Sequence, residues 1–181
     1  LAQSVAETYD RLVERRAAGE PLAYIVGSKA FFGLELRVDA RVLVPRPDTE
    51  TLVQWSLDVL MAPAMPPIPR ILDLGTGSGA IALAVAHCLQ VAERAAHVLA
   101  VDASSDALAV ATENAQALGL TVQFLQSNWF SEVKGRFHVI ASNPPYIPQS
   151  DPHLAALSHE PVEALTGGSD GLEDIRKIID K

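Results

Sequence analysis

The most specific chemistry in this sequence lies in four consecutive residues, Asn143-Pro144-Pro145-Tyr146, directly after the apolar run Phe137 to Ala141. An amide or exocyclic aryl nitrogen is a poor nucleophile, because its lone pair is delocalised into a carbonyl or ring. The Asn143 side-chain oxygen and the Pro144 carbonyl can accept the two N–H bonds of such a group and hold its lone pair toward an electrophilic methyl. As the nitrogen gains positive charge, both acceptors bind it more strongly, which is stabilisation specific to the transition state. The paired prolines, Pro144 and Pro145, fix the backbone that aims the carbonyl. Tyr146 offers an aromatic wall to a flat group and a developing cation. No strong general base is required, since a methylated, protonated amide loses its proton readily. The four residues point to substitution of a planar NH2 group and are silent on which one; in isolation they would read as a rigid two-proline turn.

A second constellation supplies a nucleoside site. Asp73-Leu74-Gly75-Thr76-Gly77-Ser78-Gly79 follows a short apolar strand and opens a helix. Glycines let the backbone turn tightly and approach a ligand closely, and the helix N-terminal amides then face that ligand. Asp102 follows the next strand, which places a carboxylate at the carboxyl edge of the sheet, where it can accept hydrogen bonds from both ribose hydroxyls. Gly75, Gly77 and Ala80 also satisfy the looser dinucleotide fingerprint, so a nicotinamide enzyme stays open on these residues alone. Asp73 tilts the balance, because Asp-x-Gly-x-Gly-x-Gly resembles the first motif of class I methyltransferases. There Asp73 would orient the amino group of a bound methionine moiety, or only brace the loop.

The elements that must position these residues are legible as periodic patterns. Val5 to Ala18 reads as an amphipathic helix stopped by Gly19, and Ala30 to Val38 as a hairpin turning at Gly33. Val42 to Val44 is short and extended. Asp48 or Thr49 is then expected to cap a helix running to about Met61, and the four-proline stretch Ala62 to Pro69 reads as a linker. Strands are expected at Ile71–Leu74, His97–Val101, Val122–Leu125 and Phe137–Ala141. Helices are expected at Ala80–Leu89 and, capped by Ser104 or Ser105, through Leu118. A last helix spans about Leu172 to Lys181. Strands alternating with helices mean a parallel sheet with crossovers. The fourth strand is apolar on both faces and so should lie inside a sheet, yet no later segment can pair with it. The sequence also begins inside a helix without Met. Both points lead us to expect a piece of a longer protein whose C-terminal strands are missing.

Composition narrows the class. The 181 residues are 49% apolar and 20% charged, as in an ordinary globular protein, enough for one domain with a small appendage. The formal net charge of −8 and scattered Lys and Arg argue against generic binding to phosphate backbones. No apolar run approaches the ~20 residues needed to span a bilayer, and the N-terminus has no signal-peptide pattern. The single cysteine, Cys88, excludes an intrachain disulfide and fits a reducing cytoplasm. His153 and His159 lie near Asp151 and Glu160, but the set is too loose for a metal site, and none is expected.

The sequence resembles the release factor glutamine methyltransferases, the HemK/PrmC family. The resemblance is carried by Pro21 to Gly27, Phe31 to Gly33, Leu43 to Glu50, Ile71 to Leu83, Ser127 to Phe130, Ser142 to Ile147, Asp151 to Leu154 and Gly168 to Leu172, spread over nearly the whole chain. It implies a Rossmann-like class I methyltransferase fold, α/β, with a parallel sheet and helices on both faces, preceded by a small hairpin and helix. By the same resemblance residues 1–19 would be the trailing helix of an N-terminal helical domain, 20–69 a hairpin and connecting helix, and 70–181 the catalytic domain. The implied cofactor is S-adenosyl-L-methionine, held by Asp73, Gly75 to Gly79, Asp102, Asn128, Trp129 and Asn143, with Trp129 against the adenine. The implied substrate is the glutamine of the Gly-Gly-Gln tripeptide in class 1 peptide chain release factors, gripped by Asn143 to Tyr146. No membrane or direct nucleic-acid partner is implied. Methylation of an adenine amino group in nucleic acid, which uses the same Asn-Pro-Pro-Tyr chemistry, is the alternative. Three departures stand out: position 128 is Asn where the family usually has Asp, the segment between His153-Leu154 and Glu160-Pro161 looks short, and the flanking domain and strands are absent. Arg46 to Glu50 opens a helix and either lines the cleft or only caps that helix.

Overall fold

The computed structural model describes residues 3–181. Its centre is a four-stranded parallel sheet in the order β5-β4-β3-β6, built from β3 (Arg70–Leu74), β4 (His97–Asp102), β5 (Gln123–Gln126) and β6 (Val139–Ser142). The chain steps outward from β3 to β4 to β5, then returns to the other side of β3 for β6. Leu74 pairs with Val101 on one side and with Ser142 on the other. The crevice beyond the carboxyl ends of β3 and β6 is therefore a topological switch point, where open α/β sheets bind ligands.

β3 reads as continuous Ile-Leu-Asp-Leu because both of its faces are covered, and residues 71–74 are all buried. On one face Ile71, Val98, Ala100 and Ala141 pack with the helices α3 (Glu50–Leu60), α4 (Ala80–Val91) and α5 (Ser105–Leu118). On the other, Leu72, Leu74 and Val101 meet Trp129, Phe130, Val133 and Phe137, together with Ile178 of the last helix, α6 (Glu173–Ile179). Local signals set the helix ends. The Ser104 hydroxyl accepts the Ala107 amide at the start of α5, and Gly119 ends it in a left-handed turn.

The hairpin forms as β1 (Ser28–Phe31) and β2 (Leu34–Arg37), joined through Phe32-Gly33. Its Phe31, Leu34 and Leu36 join the main core beside α3 and α4. Before it come α1 (Gln3–Ala17) and a five-residue helix, α2 (Leu22–Val26), that the periodicity did not signal. On α1, Val5, Tyr9 and Val13 are exposed.

One expectation needs correction. Neither Asp48 nor Thr49 caps α3 through its side chain: Pro47–Thr49 forms a 3-10 turn that runs directly into the helix, with Thr49 itself in helical backbone. A cap side chain works from an extended residue, and proline at the head of the 3-10 turn moves the extended residue back to Arg46. As expected of an apolar strand that no later segment of this sequence can pair with, β6 borders the sheet, and Ile140 is half exposed. Its apolar alternation is used by α3 on one side only.

Candidate active site

All four strands end on one edge, and the residues following each of them converge there. A cleft of about 690 Å³ opens at that edge, within the size range of small-molecule sites. Among the residues singled out by sequence, Gly75, Thr76, Gly77, Ser78, Asp102, Asn128, Trp129, Asn143 and Pro145 line it. Asp73, Gly79, Pro144 and Tyr146 do not, and Tyr146 is exposed at 61%.

The glycine turn is clamped from beneath. The amides of Gly75 and Thr76 both donate to the Val101 carbonyl at 2.9 Å. The Gly77 amide donates to Asp102 Oδ2 at 2.8 Å, while Asp102 Oδ1 accepts the Ser104 amide at 2.9 Å. Each carboxylate oxygen keeps a lone pair for an outside donor. A Cβ built on Gly77 would meet nothing within 4 Å, so the outer side of the turn faces open space. Gly79 has a different task. Its backbone is left-handed at φ +85, and a Cβ there would stand 2.8 Å from Leu83 Cδ1 and 3.3 Å from the Ala111 methyl, so it lets α4 close onto α5.

Asp73 lies under the turn. Its Oδ2 accepts the Thr76 hydroxyl at 2.7 Å and the Ala82 amide at 3.1 Å, which braces the loop. Its Oδ1 is buried without a partner. Burial pushes this carboxyl up to about 6 against an ordinary 3.8, despite the two hydrogen bonds that pull it down; the negative charge of Asp102 adds to the rise. Between those two values the folded protein holds a proton that the unfolded chain has released, so stability falls as pH rises through the window. A carboxyl held that far above its ordinary range is worth about 3 kcal/mol. Denaturant unfolding should therefore show the native chain losing most of that between pH 4 and 6.5 relative to Asp73→Asn. Parallel curves for the two proteins would reject the assignment.

Trp129 stands at the adjacent corner. Its backbone is left-handed at φ 50, a costly state for a bulky residue, and its carbonyl is held there by the Ser127 hydroxyl at 2.8 Å. The indole Nε1 donates to Asp174 of α6 at 3.1 Å, and the ring lies 3.4 Å from where a Gly75 Cβ would be. An aromatic plane is thus fixed at the mouth of the glycine turn. Asp174 and Lys177, an ion pair on α6, also line the cleft.

Opposite lies Asn143, half-buried, with its Nδ2 3.5 Å from the Thr49 hydroxyl. That orientation leaves the Asn143 Oδ1 as a free acceptor. Arg46 and Thr49 both line the cleft, so the Arg46 to Glu50 block does more than start a helix. The Glu50 carboxylate accepts the Phe32 amide at 2.9 Å and ties the block to the hairpin.

Sequence reading missed two supports. Glu160, considered only beside His159, is buried; it accepts the Val44 amide at 3.0 Å and pairs with Arg46 at 2.5 Å. It straps the chain after Asn143 to the segment before α3. His153 pairs instead with Asp151, and His159 approaches the Ala18 carbonyl. Among the described residues no three His, Cys, Asp or Glu side chains converge as a metal ion would need. Nor is any described helix long and apolar enough to cross a membrane. The second support, Asn114, joins β2 to the glycine turn. Its side chain accepts the Arg37 amide at 2.7 Å and donates to the Arg37 and Ser78 carbonyls at 3.0 and 2.9 Å.

A parallel sheet with this switch-point cleft, a glycine turn and an acid at the end of the second strand is a nucleoside-binding α/β fold, and the family match below makes it the class I methyltransferase fold. Residues 57–164 match the methyltransferase small domain, and residues 1–27 match the PrmC N-terminal domain. The chain belongs to the methyltransferase small domain family. It is 46% identical over 177 residues to the release factor glutamine methyltransferase of Haemophilus influenzae, covering 93% of this chain and 61% of that protein. To the protein of that name from Yersinia pestis it is 49% identical over 173 residues, covering 94% and 60%. The chain thus spans about three fifths of the length of these curated relatives. Among solved structures, human methyltransferase 10 domain containing protein superposes with a TM-score of 0.58 at 18% identity, covering 82% of this chain and 64% of that one. The T. thermophilus 16S rRNA N2 G1207 methyltransferase, in complex with AdoMet and guanosine, gives 0.53 at 22%, covering 68% and 33%. At these identities the two structures speak for the fold alone.

Proposed function

We propose that this chain carries the catalytic core of an enzyme that transfers a methyl group from S-adenosyl-L-methionine to the side-chain amide nitrogen of the glutamine in the Gly-Gly-Gln motif of class 1 peptide chain release factors. The observation that carries the reading is that one cleft is lined both by the glycine turn with Asp102 and by Asn143. The names of the relatives support the substrate.

The residues present suit the cofactor. Asp102 offers a free lone pair on each oxygen to a pair of ribose hydroxyls, Trp129 offers its ring to adenine, and Asn128 offers an amide acceptor to the adenine amino group. The Gly75 to Ser78 backbone leaves room beside them for the methionine end. Bound there, the cofactor supplies a methyl on positively charged sulfur. The protein's part is positional and electrostatic: Asn143 Oδ1 and the Pro144 carbonyl hold the glutamine nitrogen, and their pull grows as it becomes positive. Tyr146, exposed beside them, is available to the incoming protein. Residues 1–19 are read as the end of an N-terminal helical domain, 20–69 as hairpin and connecting helix, and 70–181 as catalytic. With a release factor as partner, the site of action would be the cytoplasm.

Mass spectrometry of a release factor incubated with the chain and S-adenosyl-L-methionine tests the reading. One added methyl on the Gly-Gly-Gln glutamine is expected. Label on DNA or RNA, with none on the release factor, would reject it in favour of adenine methylation. Asp102→Ala should weaken cofactor binding by about 2 kcal/mol, the scale of a hydrogen bond to a charged group, or roughly thirtyfold by calorimetry. Unchanged affinity would remove Asp102 from the site.

A further inference from the structure

We infer that the glycine-rich segment Thr166 to Glu173 is a brace that sets the position of the Asn143 to Tyr146 loop, with Gly167 and Gly171 as positioning residues for the transfer. The inference rests on the role proposed above for Asn143 and Pro144.

The segment runs beside the loop and hydrogen-bonds to its continuation. The Ile147 amide donates to the Leu165 carbonyl at 3.0 Å, the Gly167 amide to the Ile147 carbonyl at 3.1 Å, and the Gln149 amide to the Gly168 carbonyl at 3.0 Å. Ile147 and Thr166 form a parallel bridge. Behind it, the Glu173 amide at the start of α6 donates to the Gly167 carbonyl at 2.9 Å. Gly167, Gly168 and Gly171 are all buried.

The requirement for glycine differs along the segment. Gly167 is not among the glycines with positive φ, so a left-handed backbone is not what calls for glycine there. Space is what excludes a side chain. A Cβ on Gly167 would lie 2.5 Å from the Pro145 carbonyl oxygen and 2.6 Å from the Gly171 carbonyl oxygen. A Cβ on Gly171, which is left-handed, would strike the Tyr146 carbonyl oxygen. The obstructing atoms are backbone, so no rotamer change relieves them. At Gly168 the nearest atoms are Cδ, Oε1 and Cγ of the Glu173 side chain, so what stands there is a side chain and not the loop backbone.

Two glycines therefore press on the two peptide units that follow the proposed acceptor carbonyl. The rings of Pro144 and Pro145 lock φ at both residues, so the loop has few torsions left to absorb a displacement. Restoring ordinary contact at Gly167 requires a retreat of roughly 0.9 Å, from 2.5 to 3.4 Å. A misplacement of about 1 Å in a positioning group costs about 10²-fold in rate.

The test is Gly167→Ala with S-adenosyl-L-methionine and a release factor. The expected result is a fall in kcat of about 10²-fold, with cofactor Kd within about twofold of the parent, since the glycine turn is untouched. Amide exchange should quicken at Ile147 and Gln149 while the core strands keep their protection. Gly119→Asn, at a left-handed glycine with open space around it at the end of α5, should keep kcat within about twofold. An active parent whose Gly167→Ala variant turns over within threefold overturns the brace and leaves the proposed function intact. A parent that methylates no Gly-Gly-Gln glutamine overturns the function instead. Should Gly167→Ala fail to fold, exchange in the parent decides: the Ile147, Gly167 and Gln149 amides must be protected like the sheet, and free exchange at all three overturns the brace.

Discussion

Replacing Asn143 with Ala should slow methyl transfer by ~10²–10³ while leaving cofactor affinity nearly unchanged. The glutamine amide nitrogen must surrender a lone pair that resonance shares with its carbonyl, and it becomes positive as it does so. An acceptor already in place gains strength at that moment and costs no reorganisation. Asn143 is suited to this because its amide is anchored at the nitrogen end by Thr49, 3.5 Å away, which leaves the oxygen end to the substrate. Alanine removes the acceptor and keeps the fold, since β6 ends at Ser142 and the loop's conformation is held by prolines and by the hydrogen bonds at Ile147 and Gln149. The loss should fall on kcat and on kcat/KM together, the pattern of an interaction made mainly in the transition state. Single-turnover transfer to a release factor, beside calorimetry of cofactor binding, separates the two. Near-normal transfer by Asn143→Ala would end the two-acceptor mechanism.

How much of this could be read from residues alone depends on the range of the interaction. α5 was fully local: Ser104 at its head, apolar residues at three- and four-residue spacing, Gly119 at its end. The glycine turn and the acids at 73 and 102 were legible because a strand-to-helix turn and a strand end are fixed by a few neighbouring residues. What could not be read is what distant segments do to one another. Nothing near Val44 announces that its amide meets Glu160, 116 residues later. Thr49 had the type of a helix cap, yet its hydroxyl faces Asn143, 94 residues away. Tyr146 and Asn143 are three residues apart, and only the loop's course places one in the cleft and the other on the exposed surface.

Asn114 is a case where the signal was present. Ala107, Val110, Ala111, Asn114 and Ala115 recur at helical spacing and are all buried, so a lone polar residue sits on the inward stripe of α5. A buried amide must find partners, and this one finds three: the Arg37 amide and carbonyl on β2 and the Ser78 carbonyl in the glycine turn. Asn114→Ala should therefore destabilise the chain by about 4 kcal/mol, from three lost hydrogen bonds and the polar backbone atoms they leave unpaired. Val or Leu at this position should do no better, because shape is not what is missing. Denaturant unfolding gives the magnitude through a fall in the midpoint at constant slope. Because one of the three bonds holds the Ser78 carbonyl, the same variant, studied where it is still folded, should also bind S-adenosyl-L-methionine more weakly. A stability loss under 1 kcal/mol would mean that water replaces the amide at all three partners, and that the hairpin is held to α5 by its apolar contacts alone.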